Sequence, residues 1–402
     1  MNIYNSRIGL ALSGGGIRAA IFHLGVLQYF AEAKLFKQIA SISSVSGASL
    51  VMGLIFAANN NKWPNEKDFL LTVQPKVRKL ILENNIQASA LRRLPFSPRY
   101  WRHRVDLLAK VLEEKWHIHG TLQDLPPSPF WEINCTTFET GNNFRFRRDY
   151  MGDSKIGYVQ NPLLPISHMI AASAAFPVLI GPYILKAKNL CWTKDKHGKQ
   201  PEVRVDDNYT LWDGGVYDNL GLDPLYTVKG MDDEIDFLVV SNASPFIGHQ
   251  ARRGNISLAN LRRLLDIATN QVDVLRSRQV ISSIVQDGRG MYLKIGITAE
   301  QIAERLGIIS HLNSLINTAA KPVNSTYFER GLVVPNTTDC PQSLVKDLIE
   351  NSLSAEDAAR VSNYPTTLNS PSLEDFQLIF RHGYDNARCV HGFWRVTMAV
   401  SV

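Results

Sequence analysis

Residues 7–58 leave the chain little freedom of fold. Arg7–Leu12 is a short apolar run of strand length, and it ends in Ser13-Gly14-Gly15-Gly16. Three consecutive glycines suit neither helix nor strand. They admit positive φ and let the backbone approach a ligand closely. From Ile17 to Glu32 the apolar residues return at helical spacing, through Ile21, Leu24, Val26, Leu27, Tyr29 and Phe30. A second short run, Ile39–Val45, stops at Ser46-Gly47-Ala48-Ser49. Beyond it Leu50–Phe56 is apolar nearly all round, the pattern of a buried helix. The order is strand, glycine turn, helix, strand, serine turn, helix. In a parallel sheet that connection puts both turns at one edge.

The two turns suggest chemistry. A serine hydroxyl is a poor nucleophile unless it is held exposed beside a base. A sharp strand-to-helix turn holds it exposed, and the usual pattern for one is G-x-S-x-G. Ser44-Val45-Ser46-Gly47-Ala48 is a relaxed version, with small residues in place of the outer glycines. The glycine turn would supply free N–H groups at a helix N-terminus, where a developing oxyanion can be held. Each turn has a plainer reading. Ser46 can be a helix N-cap. Gly14-x-Gly16-x-x-Ala19 satisfies the dinucleotide fingerprint, but the second strand ends in Ser41-Ile42-Ser43-Ser44 and lacks the carboxylate that would bind a ribose. Arg18 can be an ordinary solvated helix residue; its place in the first turn, slightly unfavourable by the helix dipole, suggests a role.

Composition is that of an ordinary globular chain: 402 residues, 45% hydrophobic and 20% charged, with 43 basic and 37 acidic side chains for a net charge of +6. That charge suggests mild attraction to anionic surfaces. Cys135, Cys191, Cys340 and Cys389 show no metal-ligand spacing and read as free thiols. The N-terminus shows no secretory pattern, and no apolar run is long enough to span a bilayer. We therefore expect a cytoplasmic protein, in contact with membranes at most peripherally.

Helical spacing over Phe69–Ile86 and Leu107–Trp116 flanks a basic, aromatic stretch: Arg92, Arg93, Phe96, Arg99, Tyr100, Trp101, Arg102 and Arg104. This region interrupts the strand–helix alternation and reads as an insertion, a cap at about residues 60–127. Its rings and guanidinium groups suit a membrane–water interface. The other reading is a cap with solvated arginines and buried rings. Phe130–Thr137 reads as a strand, with Phe144–Arg147 as its hairpin partner. Pro165–Ala175 is a small-residue helix, and Lys186–Asn208 is a polar loop or hairpin excursion. Leu211-Trp212-Asp213-Gly214-Gly215 puts a carboxylate at the end of an apolar run, where it is either a site residue or an ordinary turn aspartate. Ile235–Ser241 and Met291–Ile297 read as strands, and Leu258–Gln286 as a long helix. The tail from Leu344 to Asn386 reads as mostly helical around Tyr364–Leu368.

In order, these pieces resemble the patatin-like phospholipases. The resemblance rests on Gly14-Gly15-Gly16-Ile17-Arg18, on the relaxed serine motif around Ser46, and on Asp213-Gly214, with support from Ala171–Pro177 and Tyr364–Tyr384. Ala19, Ser44 and Ala48 depart from the family's glycines. The resemblance implies one domain over residues 1–402, a three-layer α/β/α fold with a mainly parallel central sheet, the helical insertion, and a helical C-terminal extension at about 340–402. It also implies a Ser–Asp dyad, with Ser46 as nucleophile and Asp213 as base. Gly14, Gly15 and Gly16 would form the oxyanion hole, and Arg18 would fix that loop. The implied partner is a phospholipid or other acyl ester at a membrane surface. No metal, cofactor or nucleic acid is implied. The alternatives are a soluble esterase or thioesterase on the same dyad, a catalytically silent lipid-binding protein, or a triad completed by His382 or His391, which follow Asp213 in the order that triad requires.

Overall fold

A computed structural model describes residues 3–177, 180–246, 258–285, 287–305 and 341–400. Cys340 and Gln286, named above, lie outside the described residues. Five strands form the parallel half of an 11-stranded sheet: β1 (Ile8–Leu12), β2 (Ile39–Val45), β3 (Phe130–Thr137), β12 (Phe237–Asn242) and β13 (Gly290–Lys294), in the order β13-β12-β1-β2-β3. The other half is antiparallel. It runs from β3 through β4 (Asn143–Phe146), β5 (Tyr150–Asp153) and β6 (Gly157–Gln160) to the edge strand β8 (Trp192–Thr193). The excursion expected over Lys186–Asn208 thus contributes β8 and separates β7 (Tyr183–Lys186) from its partner β9 (Asn208–Asp213). A small ribbon of β10 (Tyr226–Thr227) and β11 (Gly230–Met231) stands apart.

Both faces of the parallel half are covered, because its residues alternate between two cores. Leu10, Leu12, Phe237 and Val239 belong to the large core. Ala11, Leu238 and Val240 belong to a smaller one, closed by Leu220, Leu225, Val280 and Ile284. Helix α1 (Gly16–Glu32) is buried nearly all round. It is covered in turn by the C-terminal helix α13 (Leu373–Val400), and glycines set how closely the two approach. A Cβ on Gly383 or Gly25 would strike the carbonyl of Phe22 or Phe380 on the facing helix.

Between β2 and β3 the chain is mainly helical beyond α2 (Gly47–Ala58), from α3 (Glu66–Asp68) through a π turn at Phe69–Val73 and α4 (Gln74–Glu83) to α5 (Ile86–Arg93) and α6 (Arg104–Trp116). The tail is mostly helical, with a break at Tyr364–Leu368. Beyond the short helices α8 (Gly215–Asp218) and α10 (Ala299–Arg305), α11 (Pro341–Glu350) and α12 (Ala355–Ser362) precede α13, and residues 364–369, between α12 and α13, are not helical. Pro365 has no N–H to give a helix. The carbonyls of Tyr364 and Thr367 are also claimed from outside, by Arg18 and by the N–H of Ile17. This strap binds α1 to the insertion, since Gln87 of α5 accepts from Thr367 and Leu368.

Candidate active site

Strand β3 brings Ser46 and Asp213 together. The edge of β3 opposite β4 is shared by two strands end to end. Strand β2 pairs with it as far as Val45 opposite Asn134, and β9 takes over with Asp213 opposite Cys135. The residue that leaves β2 and the last residue of β9 are therefore neighbours, although 167 positions apart (213 − 46). Ser46 turns sharply out of the sheet with φ 51 and ψ −114. That is a strained conformation for a residue with a Cβ, of the kind kept at functional sites at a cost of about 1–3 kcal/mol. Its side chain makes no capping bond to α2 (Gly47–Ala58), so the N-cap reading fails.

A buried hydroxyl network holds the turn. The Ser46 N–H donates to Ser173 Oγ at 3.0 Å, and Ser173 Oγ donates to the Asn134 carbonyl at 2.8 Å. Ser49 lies 2.9 Å from both Ser173 and Ser44, and Trp131 Nε1 donates to Ser44 Oγ at 2.8 Å. Ser44, which stands where an elbow glycine is usual, is thus one of the posts. The small-residue pattern gives the helix α7 (Ile166–Ser173) but carries no signal that Ser173, at its end, holds the Ser46 turn.

Asp213 is buried, and burial pushes its carboxyl up to about 6. The N–H of Gly215, at 2.8 Å, and the Ser46 side chain both pull it back down. A carboxylate in this range can take a proton near neutral pH and give it back.

The glycine turn lies directly against the serine turn. A Cβ on Gly47 would strike the Gly16 carbonyl, and one on Gly14 would lie 3.1 Å from the Ser46 Cβ. Gly15 and Gly16 take φ 142 and φ 62, conformations open mainly to glycine. The three glycines are not equivalent as donors. The N–H of Gly14 donates to the Asn219 carbonyl at 3.0 Å, so it is already engaged. No acceptor for the N–H of Gly15 or Gly16 is found among the described residues, and Gly15 lines the cleft beside Ser46. Arg18 is buried and ties the turn to its surroundings through the carbonyls of Ala243 (3.3 Å) and Tyr364 and through Thr366 Oγ1 (3.4 Å). Burial lowers its pKa to about 10, which leaves it charged at neutral pH.

Both histidines of the alternative triad are engaged elsewhere. His382 Nε2 accepts the N–H of Gly296 at 2.8 Å, and His391 Nδ1 lies 2.8 Å from the Tyr29 hydroxyl. Burial lowers them to about 4 and about 3, and neither lines the cleft at Ser46. That cleft holds about 180 Å³ and is walled by Phe176, Phe246 and α9 (Leu258–Val280).

Residues 10–226 match the patatin-like phospholipase family, 217 positions (226 − 10 + 1) and so more than half of the chain. No curated protein sequence matches it. Among solved structures, human GIVD cytosolic phospholipase A2 superimposes with a TM-score of 0.51 at 12% identity, over 99% of this chain and 62% of that one. The same human enzyme in complex with methyl gamma-linolenyl fluorophosphonate gives 0.47 at 14% identity, over 99% of this chain and 59% of that one. VipD from Legionella pneumophila gives 0.32 at 16%, over 72% of this chain and 61% of that one. The chain therefore spans less than two thirds of these structures. The first superposition carries the fold, a mixed sheet with parallel central strands between helical layers, and the match over residues 10–226 carries the family: the chain belongs to the patatin-like phospholipases.

Proposed function

We propose that this patatin-like phospholipase is a serine acyl hydrolase that cleaves acyl esters of membrane glycerophospholipids through Ser46 and Asp213. The observation that carries the reading is their meeting on one edge of β3, with the aspartate buried and its carboxyl raised to about 6. Ser46 Oγ attacks the ester carbonyl carbon while its proton passes to Asp213. The N–H groups of Gly15 and Gly16 hold the oxyanion. Collapse expels the lysophospholipid alkoxide, which takes the proton from Asp213 and leaves an acyl-serine. Asp213 then deprotonates a water that attacks the acyl carbon, and the fatty acid leaves as the proton returns to Ser46.

The insertion supports a membrane substrate. No helix among the described residues is long and apolar enough to cross a bilayer. Phe96 is 87% exposed and Trp101 57% exposed, beside exposed Arg92, Arg99 and Arg102, so these rings are not the buried rings of a plain cap. Arg99 stacks on Tyr100 at 4.5 Å. Rings at headgroup level with guanidinium groups on phosphate are the interfacial arrangement. Each basic residue near an anionic surface contributes about 1 kcal/mol, and salt screens it. Arg99→Glu with Arg102→Glu should therefore weaken sedimentation with phosphatidylserine liposomes and slow fatty-acid release from them, and high salt should reproduce both effects. Hydrolysis of p-nitrophenyl butyrate should persist. Unchanged liposome binding at low salt would remove the membrane contact from the account. Cleavage of the soluble ester with none of phospholipid would make the protein a soluble esterase.

A further inference from the structure

Asn219 comes six positions after Asp213 and holds both sides of the site. Its carbonyl accepts the Gly14 N–H at 3.0 Å. Its side-chain oxygen is wedged between the two turns: a Cβ on Gly215 would lie 2.6 Å from Oδ1, and one on Gly14 would collide with it. Which end of an amide faces which neighbour is decided by its partners. Here Nδ2 donates to Ser244 Oγ at 2.7 Å and reaches Asp273 Oδ2 at 3.4 Å, and Ser244 Oγ donates to the same Oδ2 at 3.1 Å. An ionised carboxylate only accepts, so Asp273 draws the amide nitrogen toward itself and leaves Oδ1 facing the turns. Asp273, on α9, is itself buried. Its Oδ1 has no partner among the described residues. Keeping a partly satisfied carboxylate at such a depth is costly. Asp218 and Lys294 are the charged groups acting on it. Lys294 Nζ donates to the Ser244 carbonyl at 2.6 Å.

We propose that Asp273, Ser244 and Asn219 form a positioning relay. Asp273 fixes the orientation of the Asn219 amide, and Asn219 fixes the spacing between the glycine turn and Asp213. The relay rests on the Ser46–Asp213 reading above; its members line the same cleft, and among the described residues the Asp213 carboxylate is hydrogen-bonded by Gly215 and Ser46 and not by them. It makes α9, a wall of the cleft, part of the machinery that sets the oxyanion hole.

The test is steady-state hydrolysis of p-nitrophenyl butyrate, with each variant's melting transition measured alongside. Displacing a catalytic group by about 1 Å can cost roughly 100-fold, so Asn219→Ala and Asp273→Ala should each lower kcat by about 10- to 100-fold with KM little changed. Asp273→Asn should recover most of that loss, because its amide oxygen still accepts from Asn219 and Ser244. The double Ala variant should be no slower than Asn219→Ala, since the three act as a unit. Wild-type kcat in folded Asp273→Ala, a loss confined to KM, or losses that multiply would each overturn the relay. If Asn219→Ala does not fold, the Asp273→Ala and Asp273→Asn pair decides. If Asp273→Ala does not fold, Ser244→Ala takes its place, with a lowered kcat expected and a wild-type kcat overturning the relay. Ser46→Ala is the control: wild-type hydrolysis in it would overturn the dyad reading itself, whereas an inert control with normal Asp273→Ala overturns the relay alone.

Discussion

Ser46→Ala and Asp213→Ala are each expected to lower ester hydrolysis by about 10⁴-fold or more, and the double variant no further, because nucleophile and base act as a unit. The Ser46 hydroxyl makes no structural bond to α2, so its removal should leave the melting transition in place. Asp213 accepts from the Gly215 N–H, so Asp213→Asn is the gentler variant of the pair and should be inactive as well. The pH profile adds a direction. Asp213 must be ionised to accept the proton, and burial has raised its carboxyl to about 6. Wild-type kcat/KM should therefore fall as pH drops through about 6, approaching tenfold per unit below it. A profile flat down to pH 4 would place the base elsewhere. His382→Ala and His391→Ala should keep the activity if folded, since both rings are engaged away from the cleft.

Gly15→Ala is the second large effect. Gly15 takes φ 142, which a residue with a Cβ rarely adopts, and its Cβ would lie 3.2 Å from both the Arg18 guanidinium and the Ala19 Cβ. Relaxing that strain should reorient the Gly15 N–H, for which no acceptor is found among the described residues. Loss of one oxyanion donor costs roughly 3 kcal/mol of transition-state stabilisation, or about 100-fold in kcat. KM should move little, because the oxyanion forms only in the transition state. The same substitution at Gly14 should act differently. Its N–H is spent on Asn219, so Gly14→Ala should act by displacing the Asn219 side chain, with a larger cost in stability. Equal kcat for Gly15→Ala and wild type would remove Gly15 from the oxyanion hole.

What was legible in the sequence is what depends on neighbours in the chain. Ser13–Gly16 and Ser46–Gly47 announce tight turns because few residues tolerate them, and the apolar runs around them place β1, α1 and β2 to within a residue and the middle of α2. Asp213 before two glycines was legible as a turn. That it faces Ser46 was not, because the pairing runs through β3, where two strands share one edge. The strap at Tyr364–Thr367 lay further out of reach. The helices on either side of it are local, whereas its backbone is held by Arg18 and Ile17, some 350 positions away. The same distance hid the division of labour among the glycines. Nothing near Gly14 in sequence says that Asn219 takes its N–H. The basic aromatic stretch allowed two readings, since local composition does not tell buried rings from exposed ones.

Reaction with a fluorophosphonate probe, followed by mass spectrometry of the labelled peptide, tests the central claim most directly. Phosphonylation requires an activated serine with an oxyanion site beside it, the roles proposed for Ser46 and for the N–H groups of Gly15 and Gly16. The account predicts one adduct, on Ser46, that forms more slowly in Gly15→Ala and is absent from Ser46→Ala and from acid-inactivated wild type. An adduct on any other serine, or none on a folded wild-type protein at pH 8, would contradict it.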